Sequence, residues 1–140
     1  MASNQAEVRA LLDSRVEASR AKDIDRLMSL YSPNIVYFDV VPPRQFTGSD
    51  AVRRNFERWF DEYEGSIGLE THDLHLATSG DVAFAHMLHS DSGTRKNGLS
   101  AAVWLRSTVC CQRSNHKWLI THEHISLPVE NWSAVGDVAP

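Results

Sequence analysis

The stretch Arg106-Ser107-Thr108-Val109-Cys110-Cys111-Gln112-Arg113-Ser114-Asn115-His116-Lys117-Trp118-Leu119-Ile120-Thr121-His122-Glu123-His124-Ile125-Ser126 decides the fold. On both sides of Ser114-Asn115-His116 apolar and polar residues alternate at period two, the signature of a β-hairpin. The pattern extends backward. Residues 66–78, 82–91 and 99–113 alternate in the same way, separated by Ser79-Gly80-Asp81 and by the Gly-containing run 92–98. With 117–127 as its last member, this is a four-strand meander in a mainly antiparallel sheet.

Ahead of the meander the spacing is helical. Val8, Leu11, Leu12, Val16 and Ser19 recur along one face of residues 5–21, with Asn4 as the expected cap and Glu7 three positions on. Asp23 caps a short second helix striped by Ile24, Leu27, Met28 and Tyr31, which Ser32-Pro33-Asn34 stops. Residues 35–40 are β-branched and aromatic, hence a strand. Residues 41–48 read as a loop. Ser49 then caps a third helix whose stripe is Val52, Phe56, Trp59, Phe60 and Tyr63. Helices gathered on one side of an antiparallel sheet make an α+β fold. The expected organisation is one domain over 1–128 and a small, polar, loosely held tail over 129–140.

The 140-residue length suits a single domain that needs no metal or disulfide staple. The charge of −4 lacks the basic face of a sequence-blind nucleic-acid binder, and no apolar run is long enough for a membrane helix. Cys110 and Cys111 are adjacent, so a bond between them would be strained, and they read as reduced filler of a reducing compartment. The first seven residues show no signal pattern, and the expected location is cytoplasmic.

Both faces of 117–127 carry apolar residues: Trp118 and Ile120 on one, Leu119, Ile125 and Leu127 on the other. A sheet normally buries one face and wets the other. Three helices cover one face, so a homodimer through the outer sheet face is expected. A β-bulge within the strand would exchange which set faces inward, Thr121, Glu123 and Ile125 or His122 and His124.

Several segments resemble a known superfamily: Lys22-Asp23-Ile24-Asp25, Leu30-Tyr31-Ser32-Pro33-Asn34-Ile35-Val36-Tyr37-Phe38-Asp39, Phe46-Thr47-Gly48-Ser49-Asp50-Ala51-Val52, and the final hairpin from Arg106 to Ser126. Together they are similar to the nuclear-transport-factor-2-like (NTF2-like) superfamily, and within it to the SnoaL-like branch that includes ketosteroid isomerases and polyketide cyclases. The resemblance implies a cone-shaped α+β barrel, a strongly curved sheet wrapped around the helices and enclosing an apolar pocket. It implies a small-molecule isomerase, lyase or cyclase that needs no cofactor, or a non-catalytic ligand-binding or oligomerisation module on the same fold.

Asp39 falls by resemblance at the position of the isomerase base. A carboxylate in an apolar pocket is suited to taking a carbon-bound proton. By its residues alone, Asp39 also reads as an edge-strand Asp leading into Pro42-Pro43. Ketosteroid isomerases complete the site with a Tyr and a protonated Asp as oxyanion donors. Here Arg15 stands at the place of that Tyr and Thr108 at that of the Asp, so steroid isomerisation itself is not expected. The resemblance aims Phe84 and His86 inward, His86 as an acid/base or hydrogen-bond donor, and Glu123 and Ile125 inward as a second carboxylate and its apolar neighbour. Arg106 shares a face with Trp104 and Thr108, as if directed at an anionic or enolisable ligand. Tyr37 shares a face with Asp39. Trp59, Tyr63 and Trp104 are candidate aromatic walls. His122-x-His124 has metal-ligand spacing and His86 could be a third ligand, but no supporting pattern of outer partners is visible and no metal is expected. The expected ligand is small, apolar or aromatic, and open to carrying negative charge.

Overall fold

The computed structural model describes residues 3–129. Two helices lead, α1 (Asn4–Arg20) and α2 (Ile24–Met28), followed by strands β1 (Tyr31–Phe38) and β2 (Phe46–Thr47). Helix α3 (Ser49–Asp61) and four long strands follow: β3 (Tyr63–Ser79), β4 (Val82–Arg95), β5 (Val103–Ser114) and β6 (Lys117–Ser126). They form one open sheet in the order β2-β1-β6-β5-β4-β3. Every pair is antiparallel except β1 with β6. The α+β class and the meander are as the alternation implies. The expected tail lies outside the described residues from position 130 onward.

Several boundaries moved: β1 begins at Tyr31, so Tyr31 and Ser32-Pro33-Asn34 are strand rather than helix and its stop, and local chemistry explains three others. Ser3, not Asn4, caps α1: its Oγ accepts from the Ala6 amide at 3.1 Å. Asn4 instead donates to the Gly80 carbonyl and accepts from Arg113, tying the helix start to the β3–β4 turn. Gly48 caps α3 in place of Ser49. Its φ of 87° lies in the left-handed region that side chains avoid, and its amide donates to the Ile35 carbonyl. Tyr63 belongs to β3, because α3 closes at Glu62.

The core lies between the helices and one face of the sheet. Val8, Leu11 and Leu12 of α1 and Val52, Phe56 and Phe60 of α3 are buried with Ile67, Ala83, Ala85, Met87, Val109, Cys111 and Ile120 of the strands. Tyr31 and Tyr37 of β1 each pack a ring on Phe56 at 5.3 Å.

A β-bulge resolves the two apolar faces of the last strand. Cys110 pairs with His122, but the next residue, Cys111, pairs with Ile120, leaving Thr121 as the extra residue on β6. Parity flips there, so Trp118 and Ile120 before the bulge and Glu123 and Ile125 after it are all buried. The doubled apolar pattern is therefore intrachain geometry and does not by itself require a second copy. A second bulge, at Asp73 with φ 54°, shifts β3 against β4.

Candidate functional site

Between the helices and the inner sheet face is a cavity of about 250 Å3. Its wall is mostly apolar and aromatic, including Tyr37, Phe56, Trp59, Leu69, Leu105 and Ile125, and a few charged groups converge on it.

One polar cluster is sealed. Arg15 projects from the buried face of α1 and is 3% exposed, as is Glu123. Arg15 Nη1 lies 3.0 Å from Glu123 Oε1, and the Tyr31 hydroxyl donates to the same oxygen at 2.7 Å. Two charges with so little water are tolerated only as a pair, and Arg15 Nε is buried with no hydrogen-bond partner among the described residues. Burial alone would lower the Arg15 pKa. Glu123, Tyr31 and the Glu123 hydrogen bond outweigh that and hold it above its ordinary value. Arg15 Nη2 contacts His89 Nε2 at 2.9 Å. Burial first, and then the Arg15 charge, push the His89 pKa down to about 3, so the ring is neutral. Burial first, then the Glu123 charge, raise the Tyr31 and Tyr37 hydroxyls well above their ordinary value. The Tyr37 hydroxyl lines the cavity without a hydrogen-bond partner among the described residues, so it remains a protonated, available donor.

The other charged groups are less deeply buried. Asp39 follows β1 directly. Its Oδ2 accepts from Asn55 Nδ2 at 2.7 Å and lies 3.8 Å from Arg58, and its Oδ1 accepts from the Val40 amide at 2.6 Å. Asn55 is itself buried on α3 and receives Arg58 Nη2 at 3.0 Å, so helix and strand together fix the carboxylate. Asp91 on β4 is 6% exposed, and its Oδ1 is buried with no donor. Burial pushes its pKa up to about 6, with Arg95 opposing and Asp39 adding to the rise. Arg95 donates to the Tyr63 hydroxyl at 2.8 Å and lies over that ring.

Seven sequence-derived candidates line the cavity: Arg15, Tyr37, Asp39, Trp59, Tyr63, Glu123 and Ile125. Five do not, and these are corrections. Phe84 is 53% and Trp104 51% exposed, and His86, Arg106 and Thr108 are exposed beside them on the outer face. His86 stacks on His75, Trp104 lies against His72, and Arg106 donates to Ser126. The cause is strand parity. Val103, Leu105, Ser107, Val109 and Cys111 turn to the helices, and the register pairs Asp91 with Val103, His89 with Leu105 and Ala85 with Val109. Residues directly opposite each other in an antiparallel pair share a face. The apolar face of β5 therefore carries His89 and Asp91 inward and leaves His86 and Arg106 in water. That register, counted from the Leu105 face, was the signal that could have found His89 and Asp91. His122 donates from Nδ1 to the Val36 carbonyl at 2.7 Å, and both His122 and His124 pack on Phe38. Among the described residues, no group of three or more His, Cys, Asp or Glu could hold a metal ion, and no helix is long and apolar enough to cross a membrane.

Comparison with known proteins gives this geometry a family. The SnoaL-like domain model matches residues 8–130. None of the curated proteins matches the chain. Among solved structures, an NTF2-like protein of unknown function from Pseudomonas putida KT2440 is 29% identical, covers 99% of each chain and has a TM-score of 0.83. A candidate calcium/calmodulin-dependent protein kinase II association domain from Xanthomonas campestris is 22% identical over 93% of this chain and 91% of that one, with a TM-score of 0.80. A ketosteroid isomerase-like protein from Erwinia carotovora atroseptica is 18% identical over 90% and 97%, with a TM-score of 0.77. With the domain model matching residues 8–130 and the fold matched along nearly the whole chain, this protein belongs to the SnoaL-like family of the NTF2-like superfamily.

Proposed function

We propose that the cavity is the active site of a small-molecule enzyme that moves a proton next to a carbonyl group, an isomerase, lyase or cyclase in reaction type. The observation that carries this reading is Asp39, held on the wall of an apolar cavity by Asn55 and Arg58. Both carboxylate oxygens are oriented, and each keeps a lone pair for a carbon-bound proton. Tyr37 supports the opposite end of the reaction: its free hydroxyl can donate to the carbonyl oxygen as negative charge grows there. The Arg15 charge stands behind it. Glu123 is spent on Arg15 and Tyr31, so its role in this reading is to position them rather than to take the proton. The ligand that suits these walls is a small apolar or aromatic carbonyl compound, and the chemistry requires no cofactor. Thr108 lies on the outer face and cannot replace the protonated Asp of a steroid isomerase.

A second reading has one observation behind it. The outer face exposes Phe84, Trp104 and Val82 together with His86. That mixture of aromatic and polar groups suits a homodimer contact, and a non-catalytic binding or assembly module would use the same face. A metabolite library followed by melting temperature and by mass spectrometry separates the two readings. Turnover abolished by Asp39→Asn supports the enzyme, and binding without product, unchanged in Asp39→Asn, supports the module.

A further inference from the structure

Asp91 has no part in the reading above, yet its setting is the most unusual of the cavity carboxyls. It sits on the pocket wall, one oxygen is buried without a donor, and it lies within electrostatic reach of Asp39 in the same space. A carboxylate needs donors on its oxygens to hold charge in a dry site. With Oδ1 unserved, the neutral acid is the form this environment favours, on a side chain that lines the cavity.

We propose that Asp91 is the proton donor that complements Asp39, and that the pocket removes water from a β-hydroxy carbonyl compound. This rests on Asp39 acting as the base. Such a substrate offers one handle to each group: an α-hydrogen to Asp39, a carbonyl oxygen to the Tyr37 hydroxyl, and a hydroxyl to Asp91. The α-carbon to hydrogen bond breaks and its proton goes to Asp39. The electron pair forms the carbon–carbon double bond as the bond from the β-carbon to oxygen breaks. The departing oxygen takes the Asp91 proton and leaves as water. Asp39 ends protonated and Asp91 ionised, and one proton passed from Asp39 to Asp91 through the shared cavity restores the start. No oxidant, reductant or metal enters the balance. The charged and titratable groups facing Asp91 are Arg95 on its own strand, Asp39 after β1, Arg15 on α1 and Glu62 after α3, with Tyr63 beside Arg95.

Two measurements test it. In the ligand-free protein, carbon-13 NMR of the Asp carboxyls should find Asp91 titrating near pH 6 and moving downward in Asp39→Asn. A midpoint in the ordinary Asp range, unmoved by that change, overturns the proposal. With 4-hydroxy-4-phenylbutan-2-one as the probe, exchange of the α-hydrogens in deuterium oxide reports Asp39, and enone absorbance reports water loss. The ratio of water loss to exchange should fall at least 100-fold in Asp91→Asn, the scale of one general acid, and Asp39→Asn should remove both signals. An unchanged ratio in Asp91→Asn overturns the donor role while leaving the base assignment standing. A wild-type protein that neither exchanges nor dehydrates the probe overturns both.

Discussion

Arg15 Nη2 meets His89 Nε2 at 2.9 Å in the buried layer between α1 and β4. A guanidinium only donates, so this ring nitrogen must accept and the imidazole must be neutral. The ring proton then sits on Nδ1, 3.3 Å from Thr71 Oγ1. The contact fixes a tautomer and a charge state at once, and it does so between residues 74 positions apart.

His89 is therefore expected to keep one tautomer from pH 8 down to pH 4.5, since its pKa is pushed down to about 3. Long-range nitrogen-15 NMR should show Nδ1 protonated throughout. A lowered histidine pKa stabilises the fold above the unfolded value of 6.5, and that stabilisation is lost as pH falls from there toward 3. A His89 signal titrating between pH 6 and 7 contradicts the geometry.

The Arg15–Glu123 pair should behave as a unit. Arg15→Met strands a carboxylate among apolar groups and should cost about 3–5 kcal/mol in chemical denaturation. Adding Glu123→Leu should recover a large part of that loss, because the desolvated charge is gone. A double variant as unstable as the sum of the two single ones would show that the residues do not interact.

Asp91 has the opposite pH dependence from His89. Its folded pKa, about 6, is above the ordinary 3.8. Its contribution to stability is full below pH 3.8 and is lost as pH rises through 6. Asp91→Asn should therefore raise stability at pH 8, by an amount on the order of 2 kcal/mol, and leave it nearly unchanged at pH 4. Equal effects at the two pH values would place the carboxyl in a polar setting.

The outer sheet face makes a hydrodynamic prediction. If a second copy covers Phe84 and Trp104, the wild-type protein sediments as a dimer at micromolar concentration. The double variant Phe84→Asp, Trp104→Asp should then sediment as a monomer with unchanged circular dichroism. A monomeric wild type removes the homodimer from the account.

The pattern of elements was legible from residues alone. Helical spacing gave α1, period-two alternation with short polar turns gave the meander, and the inward aim of Glu123 and Ile125 followed from the family register. These are local signals, set within one turn of helix or one strand. The misplaced site residues were errors of strand parity. The resemblance aimed Phe84 and His86 inward, while the face of β4 that is buried carries small Ala83 and Ala85.

What the sequence determined by itself was the order of helices and strands, because backbone preference and hydrophobic period are properties of neighbouring residues; the family came from the resemblance of particular segments. What only the tertiary structure decided was which side chains share the cavity. Arg15 is buried because Glu123 arrives beside it on the last strand. Asp91 is buried because the register of β4 on β5 turns it inward with His89, where its Oδ1 meets no donor. The Thr121 bulge reverses the parity of β6 partway along. Each depends on partners distant along the chain and on the dielectric that folding creates around them.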